Sequence, residues 1–281
     1  MSRAGRLQGL GCLVVGGTSG IGLATARRFV EEGARVVVVG RSRASAEAAA
    51  AWLVDEGKSS GQRCEVFGLA ADVNDEPRVE AIFGETLERL SGRLDVLFHV
   101  AGVSGRRFGD GPLHECSAEG WDVVLGTNTR GVFLTNRAAV RQMSKQSIDE
   151  SGLRGTILNM GSVLSWSPSP DLFSTYAYAA SKGAIQAMTI CAAAKYAPER
   201  IRFNMIAPAL IDTPMASRAI NDPVIRDYLR TKQPIADGPG TVDDCAEAAL
   251  YLCEPASRFV TGTILPVDGG WCISEGRRAN G

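Results

Sequence analysis

The sequence predicts a doubly wound α/β fold, with a predominantly parallel, seven-stranded sheet and helices on both faces. Strand-like and helix-like segments alternate nearly to the end of the chain. Runs such as VVVV are apolar without alternation, as expected where a strand is covered on both faces, and a glycine-rich turn follows the first strand. The chain contains no long linker rich in Pro, Gly or Ser, so we expect a single domain over residues 1–281.

Seven segments have the composition of buried strands. They are GCLVVG (11–16), ARVVVVG (34–40), RCEVFGLA (63–70), LDVLFHVAG (94–102), GTILNMG (155–161), IRFNMIAP (201–208) and GTILPVDGG (262–270). The segments between them have the length of helices, and LATARRFVEEG ends at Gly33, a natural stop for a helix. Two stretches do not fit the alternation and follow strand ends, where open α/β folds bind ligands. They predict substrate loops at about 162–177 and 210–240, with ordinary surface loops as the alternative.

Composition and charge argue against several classes of partner. The formal net charge of −1 lacks the basic excess that nucleic-acid and membrane-surface binders use. No run of about 18 apolar residues predicts a membrane span, and the start has no signal-peptide pattern. The 7 cysteines are scattered without CxxC pairs, which predicts a reducing cytoplasm and neither a metal site nor a disulfide framework.

The first chemically informative motif is the turn VGGTSGIG after the first strand. The chain must turn sharply there into a helix whose N–H groups can face a pyrophosphate, and side chains at the glycines would obstruct the turn. The predicted dinucleotide contacts are Gly16, Thr18, Ser19, Gly20, Ile21 and Gly22.

The end of the second strand bears on which dinucleotide binds. An NAD-preferring enzyme commonly has an acidic residue there to hold the ribose 2′-hydroxyl. This chain has Arg41 followed by Ser42, and a guanidinium can accept a 2′-phosphate. The sequence therefore favours NADP. If Arg41 is only a solvated loop residue, NAD remains the alternative.

The segment YAYAASKGAIQAM (176–188) provides a candidate acid/base. If 175–197 is a helix, Tyr178 and Lys182 lie on one face, whereas Tyr176 has only Ala180 at that spacing. A neighbouring cation favours the phenolate and lowers the pKa of a tyrosine from its usual value of about 10. Such a phenol can exchange a proton with an alcohol or carbonyl oxygen.

Two polar residues upstream complete the candidate site. Ser162 follows the fifth strand and can donate a hydrogen bond to a reacting carbonyl oxygen, with Ser165 as an alternative at this point. Asn128 lies on a helix-like stretch that begins at Trp121, and an amide among apolar residues needs hydrogen-bond partners. A packing role for Asn128 is the alternative.

Taken in order, these motifs resemble the short-chain dehydrogenase/reductase family over residues 8 to 272. The turn resembles its G-x-x-x-G-x-G pattern, and Asn159-Met160-Gly161-Ser162 resembles its N-x-S/G-S motif, which selects Ser162. The separation 178 − 162 = 16 is longer than usual in the family and implies an insertion within SPSPD. The family's W-x(6)-N segment implies that Asn128 holds a water between the lysine and solvent.

The resemblance also implies a Rossmann-like fold and further cofactor contacts. Asp72 and Val73 would lie by the adenine, Ala101 and Gly102 by a ribose, Tyr178 and Lys182 by the nicotinamide ribose, and Pro208, Ile211 and Thr213 by the nicotinamide amide. The last strand resembles one that forms tetramers in relatives, which implies a homotetramer or homodimer. The chain departs from the family pattern at Val15, at Ala209 and at His99-Val100, where the family has N-N. We expect His99 to have a structural role, with a pH-sensitive or catalytic role as the alternative.

The expected function is hydride transfer between NADP(H) and a small secondary alcohol or ketone, with Asn128, Ser162, Tyr178 and Lys182 as the catalytic set. The alternatives are an NAD-dependent dehydrogenase of the same fold and a non-catalytic, cofactor-binding relative. Arg106 and Arg107 follow the fourth strand and could reach a carboxylate or phosphate of a substrate, or be solvated.

Overall fold

A single sheet of seven parallel strands organises the chain, as a computed structural model shows for residues 5–59 and 64–276. The strand order is β3-β2-β1-β4-β5-β6-β7. The strands are β1 Gly11–Val15, β2 Arg35–Gly40, β3 Val66–Ala70, β4 Val96–His99, β5 Gly155–Met160, β6 Ile201–Pro208 and β7 Ile264–Val267. The predicted fold class is confirmed.

Each of the seven predicted strand segments contains one observed strand. The first residue of the third segment, Arg63, lies outside the described residues. The fourth segment is shortened from nine residues to four, because β4 ends at His99 and the chain turns at once: Val100 and Ala101 both donate their N–H to the Val15 carbonyl, at 2.9 Å.

Helices connect the strands. They are α1 Gly20–Glu31, α2 Arg43–Ser59, α3 Glu76–Arg89, α4 Ala118–Val124, α5 Gly131–Met143, α6 Tyr176–Tyr196, α7 Ser217–Ile220, α8 Pro223–Lys232 and α9 Val242–Cys253. Helix α1 ends two residues before Gly33, whose φ of +83° is a conformation that favours glycine.

The sheet is buried on both faces, which explains why its strands are apolar without alternation. Successive side chains of a strand point to opposite faces. Cys12 and Val14 join one apolar cluster with residues of α1, α2 and α9, whereas Leu13 and Val15 join a second cluster with residues of α3 and α5. Each fully buried valine or leucine contributes about 1.5–3 kcal/mol to folding.

The segment that carries Asn128 differs from the sequence-based expectation. The helix begins at Ala118, three residues before Trp121, because the Ser117 hydroxyl accepts a hydrogen bond from the Gly120 N–H at 3.0 Å. The chain then widens into a π-helical turn over Leu125–Arg130 before α5 begins. Such turns are rare in proteins, and those that do occur are often found at functional sites.

The predicted loop at 210–240 is a compact helical insertion rather than an open loop. It contains a 3₁₀ turn at Pro214–Ala216 and helices α7 and α8. Asp222 caps α8 by accepting the N–H of Val224 at 2.9 Å, and Pro223 occupies the first helical position. The expectation of a loop rested only on the lack of alternating strand-like and helix-like segments. It took no account of Asp222 and Pro223 as the start of a helix.

The two predicted substrate segments pack together through an apolar group that we call the loop cluster. Its buried members are Val163, Ala219, Ile225, Leu229 and Trp271, and partly buried members include Leu172, Phe173 and Tyr228. The Phe173 and Trp271 rings meet edge to face with centroids 5.6 Å apart. The cluster covers the sheet edge where β5 and β6 end.

Within residues 5–59 and 64–276, no helix is both long and apolar enough to span a membrane. In the same ranges, no three His, Cys, Asp or Glu side chains lie close enough together to hold a metal ion.

Candidate active site

The glycine turn after β1 forms a cradle that has no room for side chains. Gly16 has a φ of +91°, and a Cβ there would lie 2.6 Å from the Ala101 backbone nitrogen. A Cβ on Gly22 would collide with the Gly16 carbonyl oxygen. Helix α1 begins at Gly20 without a side-chain cap from Ser19, so its first N–H groups remain available to an anion. The turn therefore fits a dinucleotide pyrophosphate.

The other predicted residues of this turn have different environments. Thr18 packs against the end of β2, because a Cβ on Gly40 would lie 2.6 Å from the Thr18 Cγ2. The Ile21 side chain is partly buried and packs against the apolar core. Thr213 approaches the turn from the opposite side, with its Cγ2 3.5 Å from the position of a Cβ on Gly20.

The end of β2 carries an exposed cation with no ion-pair partner among the described residues. This cation is Arg41, whereas the neighbouring Arg43 is paired with Glu47 at 2.6 Å. The Ser42 hydroxyl accepts the N–H of Ser45 at 3.2 Å and so helps to start α2. Arg41 alone therefore remains available for a ligand.

The segment after β3 is a tight turn that supports this cofactor region. The Asp72 carboxylate accepts the Asn74 N–H at 2.9 Å, and the adjacent Val73 is buried. The Val73 side chain packs against Gly131, the first residue of α5. Asp72 is exposed, so this turn can border an adenine.

The end of β4 lies directly beside the candidate catalytic groups. A Cβ on Gly102 would lie 3.0 Å from the Asn128 Oδ1 and 3.8 Å from the Lys182 Nζ. His99 is fully buried, with its Nδ1 2.7 Å from the Thr135 hydroxyl. Burial, together with the charge of Lys182, lowers the pKa of His99 to about 3. Burial therefore favours the neutral imidazole, and its contact with Thr135 agrees with the expected structural role.

The structure brings Tyr178, Lys182 and Ser162 together. Helix α6 places Tyr178 and Lys182 on one face, with the Lys182 Nζ 5.5 Å from the centroid of the Tyr178 ring. Interaction with the Ser162 side chain lowers the pKa of the Tyr178 phenol, so these two groups are neighbours. By contrast, 47% of the Tyr176 side chain surface is exposed, and Ser165 donates to the Ser162 carbonyl at 2.8 Å rather than to the phenol. The geometry therefore favours Tyr178 over Tyr176 and Ser162 over Ser165.

The electrostatics of this group differ in one respect from the sequence-based expectation. The pKa of Tyr178 lies above its usual value, because burial raises it more than the Ser162 hydrogen bond lowers it. The prediction of a lowered pKa is therefore wrong for the chain by itself. Lys182 donates to the Met160 carbonyl at 2.9 Å rather than to the phenol, and burial lowers its own pKa to about 8.

Asn128 links the loop after β4 to helix α6. It is fully buried, and its Oδ1 accepts the Val103 N–H at 2.8 Å. Its Nδ2 donates to the Val103 carbonyl and to the Ser181 hydroxyl, both at 3.0 Å. Both amide hydrogens are therefore used, and only the Oδ1 can accept a further hydrogen bond, for example from a water.

The strand β6 and the segment after it close the site on its remaining side. The Pro208 carbonyl lies 3.4 Å from the Ser162 hydroxyl. Ile211 is buried and forms an isolated parallel bridge with Gly240. Thr213 starts the next 3₁₀ turn by accepting the Ala216 N–H at 3.3 Å. Pro208 therefore lies beside Ser162, and Thr213 lies beside Gly20 of the glycine turn.

Sequence reasoning missed Asp110, which holds the first turn of α6 from a distant loop. Its two carboxylate oxygens accept the N–H of Ala177 at 3.0 Å and of Tyr178 at 2.9 Å. Thr175, the residue at the helix start, provides no side-chain cap. Asp110 is only 5% exposed and lies 68 residues before Tyr178, so no local pattern could have indicated this cap.

The comparisons with known proteins agree with this geometry. Residues 15–272 match the family model described as enoyl-(acyl carrier protein) reductase. The 2-(R)-hydroxypropyl-CoM dehydrogenase of Xanthobacter autotrophicus is 34% identical over 261 residues, covering 92% of this chain and 97% of that protein. The gluconate 5-dehydrogenase of Gluconobacter oxydans is 34% identical over 269 residues, covering 95% and 96%.

A solved structure supports the same assignment. A Sinorhizobium meliloti 1021 protein classed with the short-chain alcohol dehydrogenases superposes with a TM-score of 0.82 at 29% identity, covering 95% of this chain and 98% of that one. The fold and the site together define a nicotinamide-dependent oxidoreductase that acts on CH–OH groups or the corresponding carbonyls. More particularly, the chain belongs to the short-chain dehydrogenase/reductase family.

We expect Asp110→Ala to lower kcat, because the first turn of α6 would lose both hydrogen bonds that fix Tyr178. The loss of a helix cap should also lower the free energy of unfolding by about 1 kcal/mol. Steady-state kinetics and thermal melts measure the two effects. Asp110→Asn keeps one acceptor oxygen, so its kcat should lie between those of the wild type and Asp110→Ala. Asp122→Ala, which changes an exposed residue of α4, serves as the control. Unchanged kcat in Asp110→Ala would contradict the positioning role.

Proposed function

We propose that this protein transfers a hydride between NADP(H) and a small secondary alcohol or ketone. The observation that carries this proposal is the position of the Tyr178 phenol, which neighbours Ser162 and has the Lys182 Nζ 5.5 Å from its ring centroid, in a chain whose glycine turn fits a pyrophosphate. Domain, site and loop assignments belong to the same proposal: one domain over 1–281, with substrate loops at about 162–177 and 210–240.

The residues around the phenol have separate tasks in this reaction. The nicotinamide supplies the hydride in reduction and accepts it in oxidation. Tyr178 gives its proton to the carbonyl oxygen as the alcohol forms, or takes the alcohol's proton in the reverse direction. Ser162 donates a hydrogen bond to the same oxygen and stabilises the negative charge that develops on it. No metal is required for this proton transfer.

Lys182 keeps the phenol supplied with protons in this proposal. With a pKa of about 8, its ammonium group is mostly protonated at pH 7 yet can lose a proton readily. Asn128 supports the relay, since its Oδ1 lies beside Gly102 and can accept a water that leads to solvent. When a positively charged nicotinamide lies nearby, it favours the phenolate of Tyr178 and opposes the effect of burial.

The preference for NADP rests on Arg41. Its guanidinium is exposed at the end of β2 and has no carboxylate partner in the described part of the chain, so it can bind a 2′-phosphate. No acidic residue occupies that position to hold a free 2′-hydroxyl, as an NAD-specific site commonly has. NAD is the alternative outcome of the test below.

We further propose that the protein acts in the cytoplasm, supported by the buried thiols of Cys12, Cys245 and Cys253. It would assemble as a homotetramer or homodimer, supported by large apolar side chains left at the surface on one side of the sheet. Phe133 on α5 and Ile190 on α6 are each 46% exposed.

We expect Tyr178→Phe to reduce turnover by about a hundredfold or more, since general acid–base catalysis contributes on that order. NADPH binding, measured by fluorescence, should be nearly unchanged. Tyr176→Phe is the matched control and should retain full activity, because that side chain is largely exposed. The assay follows absorbance of the reduced nicotinamide with a panel of ketones and alcohols. Full activity of Tyr178→Phe would refute the assignment.

We expect Arg41→Ala to raise the KM for NADP about tenfold, because a charge-assisted contact with the 2′-phosphate is lost. The KM for NAD should not change. Arg43→Ala removes an arginine already paired with Glu47 and provides the control. If wild-type protein prefers NAD, or if Arg41→Ala leaves both constants unchanged, the NADP assignment is wrong.

We expect light scattering to give a mass of two or four times 29.7 kDa. The double substitution Phe133→Glu and Ile190→Glu should shift the protein toward monomer, because charged groups would be buried in the contact. A wild-type monomer at all concentrations would refute the oligomer.

A further inference from the structure

A hydrogen-bonded turn joins the expected adenine region to the segment that carries Asn128. This turn, residues 72–74 after β3, is called the adenine turn below, and the segment is the π-helical turn Leu125–Arg130. We propose that Asn74 and Arg130 are positioning residues, which hold Asn128 where it serves the proton relay. This inference rests on the proposed function, because it assigns further residues to the same reaction.

The register of the π-helical turn determines where the Asn128 side chain points. The Gly131 N–H donates to the carbonyl of Gly126, five residues earlier, whereas an α-helix uses the carbonyl four residues earlier. Successive residues of a helix are rotated by about 100° around its axis. A shift of register by one residue would therefore turn the Asn128 amide away from its partners, Val103 and Ser181. The function of Asn128 thus depends on contacts that fix this register.

The adenine turn supplies such contacts on the outer side of the π-helical turn. The Arg130 Nη1 donates to the Asn74 backbone carbonyl at 2.6 Å. The Asn74 Nδ2 donates to the Thr127 hydroxyl at 3.4 Å, and a Cβ on Gly126 would lie only 3.2 Å from the Asn74 Oδ1. Contacts with three residues of the π-helical turn therefore join it to the adenine turn.

Asn74 is itself held by a residue that we expect to border the adenine. The Asp72 carboxylate accepts both the backbone N–H and the Nδ2 of Asn74, at 2.9 Å and 3.1 Å. The buried Val73 side chain packs so closely against α5 that a Cβ on Gly131 would lie 2.7 Å from its Cγ2. The residues expected to contact the cofactor and those that fix Asn128 thus form one connected unit.

The bond from Arg130 to the backbone carbonyl, rather than its ion pair, carries the positioning role. Glu76 lies 3.4 Å from the Arg130 guanidinium and also pairs with Arg137, and exposed ion pairs of this kind contribute little to stability. Arg141, near the other end of α5, pairs with Glu80 at 2.9 Å. Substitution of Arg141 therefore controls for the loss of a surface ion pair.

The first test measures ketone reduction with saturating reduced cofactor. We expect Arg130→Ala to lower kcat about fivefold or more, with less than about a twofold change in the KM for cofactor, since the loss is in proton transfer rather than in binding. The solvent deuterium isotope effect on kcat should increase, because proton delivery then limits the rate more strongly. Arg130→Lys keeps a donor for the Asn74 carbonyl and should restore most of kcat. Arg141→Ala should resemble the wild type.

A double-mutant cycle tests whether Arg130 acts through Asn128. Asn128→Ala removes the amide that Arg130 positions, so the addition of Arg130→Ala should then lower kcat by less than about twofold. If the two effects on kcat simply multiply, Arg130 acts independently of Asn128 and the proposal is overturned. Thermal melts check that each variant is folded. If Asn128→Ala does not fold, the exchange measurement that follows decides the question alone.

Hydrogen exchange tests the same contact without turnover. The Val103 N–H is bonded to the Asn128 Oδ1 at 2.8 Å, so its exchange rate reports whether Asn128 keeps its position. In Arg130→Ala the Val103 amide, followed by mass spectrometry of short overlapping peptides, should exchange about tenfold faster, and in Arg141→Ala at the wild-type rate. Unchanged exchange in Arg130→Ala would refute the positioning role. Faster exchange in a protein that reduces no ketone would overturn only the proposed function.

Discussion

The pairing of β1 with β4, and of β5 with β6, is the constraint on which the site depends. Because these strands are parallel and in register, the glycine turn, the end of β4 and Ser162 all meet at one edge of the sheet. The Val15 carbonyl fixes the closest approach by accepting two N–H groups from the β4 end. A side chain on Gly16 would collide with the Ala101 backbone. Because Gly16 has no side chain, the turn leaves a surface that a flat, charged ligand can contact.

The candidate site contains an ionisable side chain whose charged form is disfavoured by burial. Lys182 is 3% exposed, and its ammonium group has a carbonyl rather than a carboxylate as partner. The same burial raises the pKa of Tyr178 and lowers that of Lys182, so it disfavours the charged form of both groups and moves the two pKa values apart. A carboxylate beside Lys182 would stabilise its charge, but it would also hold the proton that the proposed relay has to release.

The features of the site that could be predicted from the sequence are those that depend on residues close together in the chain. The glycine turn and the pair Tyr178 and Lys182 follow from local geometry, since four residues span about one helical turn. Asp110 could not be found in this way, because its significance depends on contacts across the fold. The direction of the Tyr178 pKa shift could not be found either, since burial raises this pKa more than the interaction with Ser162 lowers it. The helices within 210–240 were missed for a different reason: a short helix with a polar cap does not alternate.

The distribution of charge explains how a nearly neutral chain could bind an anionic cofactor. The formal net charge is only −1, because surface arginines such as Arg27 and Arg137 are offset by carboxylates within 2.7 Å. Some of the cations without such a partner in the described ranges lie at the candidate site, namely Arg41 at the end of β2 and Lys182 on α6. The local potential around such a cation attracts an anion even when the whole protein does not. In the proposed reaction the cofactor phosphates would lie toward Arg41 and the glycine turn, and the neutral carbonyl would lie at Tyr178 and Ser162.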